Sequence, residues 1–470
     1  MTDNSLQVVV IGAGPGGYAA AFMAADLGLD VTLIDPDVNP GGVCLYRGCI
    51  PSKAFLHAAR LINETQAAEI FGVSFDGLKV DQKKLKKWKE DVVGKVTSGL
   101  GMLVKRKKIQ YIRGLASFLD SHRLKVQIAD GNERQIHFEH AVIATGSHPF
   151  IPKSMDIDSD HLWDSTAALE LQTIPKRLLV IGGGYIGLEL GTVYAALGSN
   201  VEVVEMTAGL LPGVDRDLVR YLSKSVTEKF AAIHLNTTVT DLMAEKNGIK
   251  VTIAGPESDD KRRLFDKVLV AVGRKPNNKN FGLENTGIEL TDQGFIKVDH
   301  QLRTTEAHIF AVGDVAGEPM LAHKATHEGR IAAEVIAKHK VAFEPACIPA
   351  VVFTDPDIAW VGLTETEAKK RGLKVKMVRF PWAASGRAAT MARKDGQTKL
   401  LVDLKTERIL GVGMVGPHVG EMIAEGALAI EMAANVTDVG LTIHPHPTLS
   451  ETFMEAADLF SGTATHYHRS

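Results

Sequence analysis

The chain has 470 residues, a formal net charge of −3, 45% hydrophobic and 23% charged residues, and only three cysteines. It is too long for one hydrophobic core, so we expect about three or four domains and enough buried volume for an enzyme. The balanced charge gives no general reason to bind nucleic acid or an anionic membrane. The sequence contains no run of about eighteen apolar residues that could span a bilayer. The N-terminal MTDNSLQ resembles no targeting signal. We therefore expect a cytoplasmic protein that contacts neither nucleic acid nor membrane.

The first predicted unit is a strand, a glycine-rich turn, a helix and a second strand. The run VVVIGAGPGGYAAAFMAADLGLDVTLID places Gly12, Gly14 and Gly17 in the turn and Asp35 at the end of the second strand. In such a βαβ fingerprint the first glycine makes the turn, the second admits a pyrophosphate and the third lets the helix pack on the strand. The acid lies where a carboxylate binds an adenosine ribose. The pattern predicts a dinucleotide-binding domain.

Two cysteines, Cys44 and Cys49, follow this unit in the run GGVCLYRGCIPSK. A disulfide needs Cα atoms about 4.4–6.8 Å apart, and positions five apart on a regular helix point in different directions, so we expect a distorted segment. Nearby glycines supply backbone freedom, and Pro51 either starts or kinks a helix. A cysteine near a helix start has a lowered pKa. The pair predicts a catalytic dithiol in a reducing compartment, and two unpaired loop thiols are the alternative.

Residues 79–108 carry eleven lysines and arginines against three acids. Apolar residues interleave with them at near-helical spacing, at Leu85, Trp88, Val92 and Val93. This spacing favours an amphipathic helix with a solvated basic face over a patch for nucleic acid or a partner.

A second fingerprint begins 170 residues after the first, in LLVIGGGYIGLELGTVYAALGSNVEVVE. Its turn glycines are Gly182, Gly184 and Gly187, and its acid is Glu205, again 18 residues after the third glycine. Two copies with flanking strands and the acid in register predict two dinucleotide domains. The charge of Glu205 suits ribose hydroxyls and repels a 2′-phosphate, and residues 206–215 contain no arginine to bind one. The second unit therefore favours NAD over NADP.

Beyond Glu205 the chain alternates apolar strands with turns and then enters a long amphipathic helix, HKATHEGRIAAEVIAKH. We place a domain boundary near residue 346, because β-rich segments and further helices such as GEMIAEGALAIEMAAN follow it. Cys347, in the apolar run ACIPAVVF, is interpreted as a small buried hydrophobic residue.

The C-terminal run HPHPTLSE holds an acid–base candidate. His446 lies between two prolines, and Glu451 could orient its imidazole and raise its pKa. The alternative is a helix capping box from Thr448 to Glu451, in which the carboxylate satisfies backbone N–H groups. His444 is the other candidate base.

These motifs together resemble the flavin-dependent disulfide oxidoreductases, whose redox segment usually reads GGxCxxxGCxPSK. The resemblance covers the whole chain through both fingerprints, ATGS at residues 144–147, VGRKPN, IFAVGDVAG and HPHPTLSE, in that order. The stretches WDSTAALEL, PMLAHKATHEG and FPWAASGRA are similar to the bacterial branch that oxidises dihydrolipoamide. Tyr46 and Arg47 stand where the family more often has Asn followed by Val or Arg, so the loop between the cysteines departs from the pattern.

The resemblance implies FAD on the first fingerprint, with Asp35 at the adenosine ribose, and NAD on the second. It places Asp314 near the ribityl chain of the flavin. It adds three cofactor-binding positions in the shared motifs, namely Thr145, Gly146 and Gly273. It implies no metal.

The same resemblance assigns roles around the dithiol. Cys49 is implied to be the thiolate against the flavin, and Cys44 the thiol exposed to substrate. Lys53 follows Cys49 by four on a helix and is implied to pair with Glu189 beside the flavin. Tyr185 corresponds to an aromatic residue that covers the flavin until nicotinamide arrives.

For the C-terminal motif, the resemblance implies that His446 deprotonates the incoming dithiol and that Glu451 is its partner. The family supplies this pair from the opposite subunit, so a homodimer is expected. The implied activity is oxidation of protein-bound dihydrolipoamide to lipoamide, with electrons passing through a Cys44–Cys49 disulfide and FAD to NAD. The implied partners are the lipoyl domains and the acyltransferase core of 2-oxo acid dehydrogenase complexes, or a glycine-cleavage system.

We therefore predict an α/β fold with two Rossmann-like dinucleotide-binding domains and a C-terminal α+β interface domain. The predicted domains are an FAD-binding domain (1–148), an NAD-binding domain (149–273), a central domain completing the FAD site (274–346) and a dimerisation domain (347–470). The alternative functions are another NAD(P)H-dependent disulfide reductase of the same family and a flavoprotein scaffold without catalysis.

Overall fold

The computed structural model describes residues 6–129, 131–256 and 262–468. Residues 1–5, which contribute to the predicted lack of a targeting signal, and the last two residues of the predicted dimerisation domain lie outside this part of the chain. No helix among the described residues is long and apolar enough to cross a membrane.

The first fingerprint folds as a Rossmann-like unit. Its strands are β1 (Leu6–Ile11), β2 (Val31–Asp35), β3 (Gln110–Asp120), β4 (Arg123–Ile128), β5 (Glu133–Ile143) and β6 (Ser147–Pro149). Its helices are α1 (Pro15–Asp26), α2 (Gly42–Arg47), α3 (Cys49–Ala67) and α4 (Gln82–Arg106). Strand β1 pairs in parallel with β2 and β5, β2 pairs with β3, and β4 runs antiparallel between β3 and β5. The predicted βαβ arrangement is confirmed, and its apolar strands are covered on both faces.

The second fingerprint folds in the same way. Its strands are β7 (Leu162–Trp163), β8 (Arg177–Ile181), β9 (Asn200–Val204), β10 (Ala232–His234), β11 (Thr238–Glu245), β12 (Gly248–Ala254), β13 (Arg263–Phe265), β14 (Lys267–Val270) and β15 (Arg274–Pro276). Its helices are α5 (Ser165–Leu169), α6 (Tyr185–Ala196) and α7 (Arg216–Lys229). The parallel sheet has the order β10-β9-β8-β14-β7, and β11, β12 and β13 form an antiparallel sheet. The predicted repeat is therefore present in three dimensions.

After the second unit the chain returns to the first. Strand β15 pairs with β6, and β16 (Ile309–Ala311) adds a parallel strand beside β5. Helix α8 (Ala322–Ile336) packs against α1 so closely that a Cβ atom on Gly329 would lie 2.2 Å from the carbonyl oxygen of Gly16. The first sheet thus takes its sixth strand from downstream, whereas the second sheet takes β7 from upstream.

The C-terminal domain is built on an antiparallel sheet. Its strands are β17 (Ala350–Val352), β18 (Asp357–Gly362), β19 (Val375–Pro381), β20 (Gln397–Asp403) and β21 (Ile409–Gly416), in the order β17-β18-β21-β20-β19. Its helices are α9 (Glu365–Lys370), α10 (Gly386–Thr390), α11 (Val419–Glu431), α12 (Val436–Leu441) and α13 (Glu451–Ser461). The predicted α/β fold class with a C-terminal α+β domain is confirmed.

Two local predictions have mixed outcomes. Helix α4 forms and buries Val93, but Trp88 stays 41% exposed because its ring lies against the surface of α3, with its centroid 6.4 Å from that of His57. Cys347 is half-buried rather than buried, because it lies in the loop before β17, where its Sγ is 3.7 Å from the Ala427 carbonyl oxygen.

A buried lysine ties the second unit to the C-terminal domain. Lys399 on β20 is fully buried, and its Nζ lies 2.7 Å from Asp215, 2.7 Å from Asp217 and 3.0 Å from Glu365. Burial raises the pKa of Asp217, but the charges of Lys399 and Arg379 outweigh it and hold that pKa at about 2. The three carboxylates thus share two protein cations, Lys399 and Arg379, as buried charges need such partners.

Candidate active site

A cavity of about 490 Å³ joins the first fingerprint to the dithiol and to the start of α6. The predicted cofactor-binding residues that line it are Gly12, Gly14, Asp35, Thr145, Gly146 and Asp314. The predicted residues around the dithiol that line it are Cys44, Cys49, Lys53, Glu189 and Tyr185. The other predicted residues lie outside its lining, namely Gly17, Gly182, Gly184, Gly187, Glu205, Gly273, His446 and Glu451.

The Asp35 carboxylate stabilises the first fingerprint turn through hydrogen bonds. Gly12 has a φ of +93°, and a Cβ atom there would lie 2.4 Å from the carbonyl oxygen of Ala144. The Asp35 carboxylate accepts the N–H groups of Ala13 at 2.7 Å and Asp37 at 2.9 Å. Burial raises the pKa of Asp35 although both N–H groups lower it. The acid therefore fixes the turn while remaining on the cavity wall.

The second fingerprint turn is stabilised by the same kind of hydrogen bonds, and it lies outside the cavity. Gly182 has a φ of +106°, and Glu205 accepts the N–H groups of Gly183 at 2.8 Å and Thr207 at 2.7 Å. Gly187 lets α6 approach the turn, since a Cβ atom there would lie 2.3 Å from the Gly182 carbonyl oxygen. The two units thus offer equivalent phosphate-binding turns.

The dithiol lies at a break between two helices. Helix α2 ends before Gly48, whose φ of −145° and ψ of −110° interrupt the helix, and α3 begins at Cys49 with Pro51 in its first turn. The predicted distortion is therefore present, and the proline starts the helix rather than kinking it.

Neither thiol forms a disulfide, and the two side chains lie close enough for each to shift the pKa of the other. A hydrogen bond from Cys44 and the charge of Lys53 lower the pKa of Cys49 to about 7. The same hydrogen bond, together with burial, raises the pKa of Cys44. Cys49 is therefore the more acidic thiol of the pair.

Lys53 and Glu189 form an ion pair across two units. Lys53 Nζ lies 2.8 Å from Glu189 Oε2, and the Glu189 side chain is only 5% exposed. Tyr185, the first residue of α6, lines the same cavity with 41% of its surface exposed. These residues would be ordinary surface or packing positions on sequence alone, and the fold brings them to the dithiol.

The unusual residues between the cysteines anchor helix α2, which contains them. The Arg47 guanidinium donates to both carboxylate oxygens of Asp37, at 3.2 and 2.7 Å, and the Tyr46 hydroxyl donates to the Asn39 carbonyl at 3.0 Å. Helix α2, and with it Cys44, is thereby fastened to the segment that follows Asp35. Asp37 was not predicted from the sequence. The only indication of its role was that an acidic residue lies ten positions before Arg47.

Asp314 is held by two residues that sequence reasoning did not single out. The Ser147 hydroxyl donates to Asp314, and Arg274 donates to the Ser147 hydroxyl at 2.8 Å and to its carbonyl at 2.7 Å. Both residues lie in the motifs ATGS and VGRKPN, so the motifs themselves were the signal. The contact joins the β6–β15 ribbon to the cavity wall.

His446 and Glu451 form a pair at the C-terminus. His446 Nδ1 lies 2.9 Å from Glu451 Oε1, and the histidine side chain is 70% exposed. Glu451 Oε2 accepts the Thr448 N–H at 2.8 Å, so the carboxylate serves both the imidazole and a backbone donor. Burial raises the pKa of Glu451, but these two contacts bring it below its usual value. The Thr448 side chain does not accept a hydrogen bond from the Glu451 backbone N–H, so only one of the two hydrogen bonds of the predicted capping box is present.

His444 is a weaker candidate base than His446. Its side chain is 4% exposed, and its two nitrogens lie 2.7 Å from Glu425 and 2.8 Å from the Thr442 carbonyl. A base needs a nitrogen within reach of its substrate. The exposed imidazole of His446 meets that condition.

Comparison with protein families divides the chain in two. Residues 6–329 match the model described as pyridine nucleotide-disulphide oxidoreductase, and residues 348–457 match the dimerisation domain of the same family. The matched segments contain both fingerprints, the dithiol and His446.

Similar proteins cover nearly the whole chain. A dihydrolipoyl dehydrogenase from Haemophilus influenzae is 48% identical over 98% of this chain and 96% of its own length. One from Thermus scotoductus is 43% identical over 98% of this chain and 99% of its own length. Among solved structures, LpdA from Mycobacterium tuberculosis has a TM-score of 0.90 at 28% identity, covering 97% of this chain and 99% of that one. The HOCl-induced flavoprotein disulfide reductase RclA from Escherichia coli has a TM-score of 0.85 at 29% identity, covering 96% and 99%.

Proposed function

Because the chain belongs to the pyridine nucleotide-disulphide oxidoreductases, we propose that it oxidises protein-bound dihydrolipoamide to lipoamide and reduces NAD. The observation that carries the proposal is one cavity that joins a dinucleotide turn, the Cys44–Cys49 dithiol and the Lys53–Glu189 ion pair. The relatives named dihydrolipoyl dehydrogenase share 42–48% identity with the chain, against 29% for RclA. A non-catalytic scaffold has no use for a thiol whose pKa is about 7.

Members of the family use FAD and NAD. The residues present fit a flavin dinucleotide, since the cavity runs from the Gly12 turn and the Asp35 carboxylate to Cys49, with Asp314 on its wall. FAD, when bound, supplies the two-electron acceptor between the dithiol and NAD. Gly12, Gly14, Thr145 and Gly146 would hold it with Asp35 and Asp314, and the second fingerprint with Glu205 would hold NAD.

The protein side chains first activate the substrate. In the oxidised enzyme Cys44 and Cys49 form a disulfide, and His446, with Nδ1 on Glu451, takes a proton from a substrate thiol. The substrate thiolate attacks the Sγ of Cys44, so that one S–S bond forms and the Cys44–Cys49 bond breaks. Cys49 leaves as a thiolate. The second substrate sulfur then attacks the first and breaks its bond to Cys44, which closes the lipoamide ring. Its proton passes to Cys44, which leaves as a thiol, while the first proton stays on His446.

Lys53 stabilises the leaving thiolate. Its ammonium lies on the same face of α3 as Cys49, and its charge lowers the pKa of that thiol. Glu189 keeps the ammonium in place at 2.8 Å. These two residues therefore act on Cys49 rather than on the substrate.

A homodimer completes this site. His446 is exposed and lies outside the cavity that holds the cysteines in its own chain. The C-terminal residues match a dimerisation domain, so the base would come from a second subunit. Neither subunit alone would then be active.

The preference for NAD follows from the loop after Glu205. The next arginine, Arg216, donates to the carbonyl oxygens of Val214 at 3.0 Å and Leu210 at 2.7 Å, and also to that of Leu211. These hydrogen bonds hold the Arg216 guanidinium in the loop, so it is not available to bind a 2′-phosphate. The negative charge of Glu205 would repel such a phosphate. NADPH should be the poorer reductant in a steady-state comparison with NADH.

We further propose that the partners are lipoyl domains and the acyltransferase core of 2-oxo acid dehydrogenase complexes or a glycine-cleavage system, and that the enzyme works in the cytoplasm. The exposed His446 and the dithiol chemistry support a substrate carried on another protein. The division into domains 1–148, 149–273, 274–346 and 347–470 stays a proposal.

Anaerobic titration with dihydrolipoamide tests the proposal directly. The flavin-loaded protein should develop a long-wavelength absorbance band as Cys49 becomes a thiolate beside the ring. An unchanged spectrum with dihydrolipoamide, together with a change on adding another dithiol, would contradict the proposed substrate.

Replacing the base tests the mechanism. General-base catalysis contributes about 10²–10⁴ in rate, so His446→Gln should lower turnover by that factor and leave flavin binding intact. His466→Gln is the matched control, because His466 is also exposed and pairs with a glutamate, Glu455, of α13. Full activity of His446→Gln would refute the assignment.

A further inference from the structure

Phe353 connects the Lys53–Glu189 pair to the C-terminal domain. It lies between β17 and β18, its backbone N–H donates to Glu189 Oε1 at 3.0 Å, and its ring centroid lies 4.5 Å from Lys53 Nζ. Lys53 belongs to the first unit and Glu189 to the second. Three parts of the chain therefore meet at one ammonium, beside a reactive thiol.

The contacts of Phe353 restrict both members of the ion pair. Glu189 gives one carboxylate oxygen to Lys53 and the other to the Phe353 N–H, so the backbone of the C-terminal domain fixes its orientation. The ring attracts the ammonium electrostatically, as aromatic faces do within about 6 Å. A lysine side chain has four rotatable bonds and loses its position easily when such contacts are removed.

We propose that Phe353 is a positioning residue for the dithiol reaction, and that its N–H and ring hold the Lys53 ammonium close to Cys49. The inference rests on the proposed function, because it concerns the same dithiol. Lys53 follows Cys49 by four residues on α3, and residues at that spacing are neighbours on a helix surface. Phe353 acts through Lys53 and Glu189 rather than on either cysteine.

The charges around Cys49 set the direction of the expected effect. The titratable groups that interact with this thiol are Cys44, Lys53, Glu189, Tyr18 and Tyr185. Lys53 is the cation of that set, and it lowers the pKa of Cys49 whereas Glu189 raises it. A displaced ammonium should therefore make Cys49 harder to ionise.

The test measures ionisation of Cys49 directly. Phe353→Met keeps the backbone N–H and most of the side-chain volume but has no ring face. It is made in flavin-loaded Cys44→Ser protein, in which Cys49 is the remaining thiol of the pair, and the rate of iodoacetamide alkylation at Cys49 is followed against pH by peptide mass spectrometry. The midpoint should rise by about 0.4–0.7 pH unit, which is a roughly two- to fivefold slower reaction below the midpoint.

Two controls separate this role from general packing. Phe353→Tyr retains a ring face and should keep the original midpoint. Phe343→Met truncates another partly buried phenylalanine, one that packs in the core of the first unit, and should also leave the midpoint unchanged. Phe353→Leu replaces Phe353→Met if the latter loses flavin.

A double variant decides whether the ring acts through the lysine. Lys53→Met should raise the midpoint more than Phe353→Met, and the two changes together should equal Lys53→Met alone. An unchanged midpoint in Phe353→Met or Lys53→Met overturns the inference, as does a Phe353→Met effect of full size in the Lys53→Met protein. These assays use neither dihydrolipoamide nor NAD, so their outcome is separate from that of the proposed function, which lipoamide turnover decides.

Discussion

Comparison of the two dinucleotide units shows the same local arrangement in both, a carboxylate that accepts two backbone N–H groups of the turn region. In the first unit Asp35 accepts the N–H groups of Ala13 and Asp37, and in the second Glu205 accepts those of Gly183 and Thr207, all at 2.7–2.9 Å. The extra methylene of glutamate is accommodated without a change in this pattern. The turn and its acid are thus determined within a stretch of about thirty residues.

The two units differ in what surrounds that arrangement. The first turn opens on the cavity that holds the dithiol, and its sheet is completed by β16 from beyond the second unit. The second turn lies outside that cavity, and its unit is anchored to the C-terminal sheet through Lys399. A nucleotide turn is therefore a local property of the sequence, whereas the chemistry beside it depends on distant segments.

Removal of the Lys399 anchor should have the largest effect on this comparison. Lys399→Met leaves three carboxylates without their buried cation, which should lower stability by about 3–5 kcal/mol. Thermal unfolding should show the loss in the second unit and the C-terminal domain. Lys405→Met, at an exposed lysine of the same domain, should change little, and equal effects of the two variants would contradict the anchoring role.

Substitution of the third glycine should separate the two units. A Cβ atom on Gly17 would lie 1.8 Å from the Gly12 carbonyl oxygen, and one on Gly187 would lie 2.3 Å from that of Gly182. Each alanine variant should lose roughly 3 kcal/mol through the clash. Gly17→Ala should also lose flavin, whereas Gly187→Ala should keep flavin and bind NAD weakly by fluorescence titration.

A helix glycine without neighbours is the control for these variants. Nothing lies within 4 Å of a Cβ atom built on Gly99 of α4, so Gly99→Ala should stabilise the protein by about 0.5–1 kcal/mol. Flavin loss in Gly187→Ala at the level of Gly17→Ala would contradict the assignment of the two turns.

The acid dependence of the second unit's anchor follows from Asp217. Its pKa in the folded protein is about 2, against an ordinary value of 3.8, so its contribution to stability is present above about pH 4 and is lost as the pH falls toward 2. The free energy of unfolding should fall by about 2 kcal/mol over that range. Unfolding of the wild type and of Asp217→Asn should be compared across that range, and a difference that does not change with pH would contradict this prediction.

Replacement of the two acids by amides should have the smallest effect. Asp35→Asn and Glu205→Gln each keep one acceptor oxygen and oppose one backbone N–H with an amide NH₂, at a cost of about 1 kcal/mol. Flavin retention should fall in the first and NAD affinity in the second. A matched loss of both cofactors in either variant would break the proposed division between the units.

The sequence was informative where residues act on near neighbours. The turn glycines, Asp35, Glu205 and the distorted cysteine segment could all be predicted, because each depends on backbone geometry within one supersecondary motif. Lys53 and Glu189 were identified by resemblance, since residues 136 positions apart share no local pattern.

Other features had no local signal. Phe353 acts through its backbone and a ring contact, neither of which a side-chain motif records. Lys399 is a lysine in the fully buried face of a strand, a placement that becomes favourable only when α7 and α9 bring carboxylates to it. Trp88 matched a helical stripe and still remained exposed, because the surface of α3 rather than the core receives it.

The return of the chain to its first sheet sets an order of assembly during synthesis. Strand β16 begins 166 residues after β5 ends, so at about 5–20 residues per second the ribosome needs roughly 8–30 s to deliver it. By then β14 has already emerged and can close the second sheet. The first sheet is thus begun before the second and completed after it, because its last strand ends at Ala311.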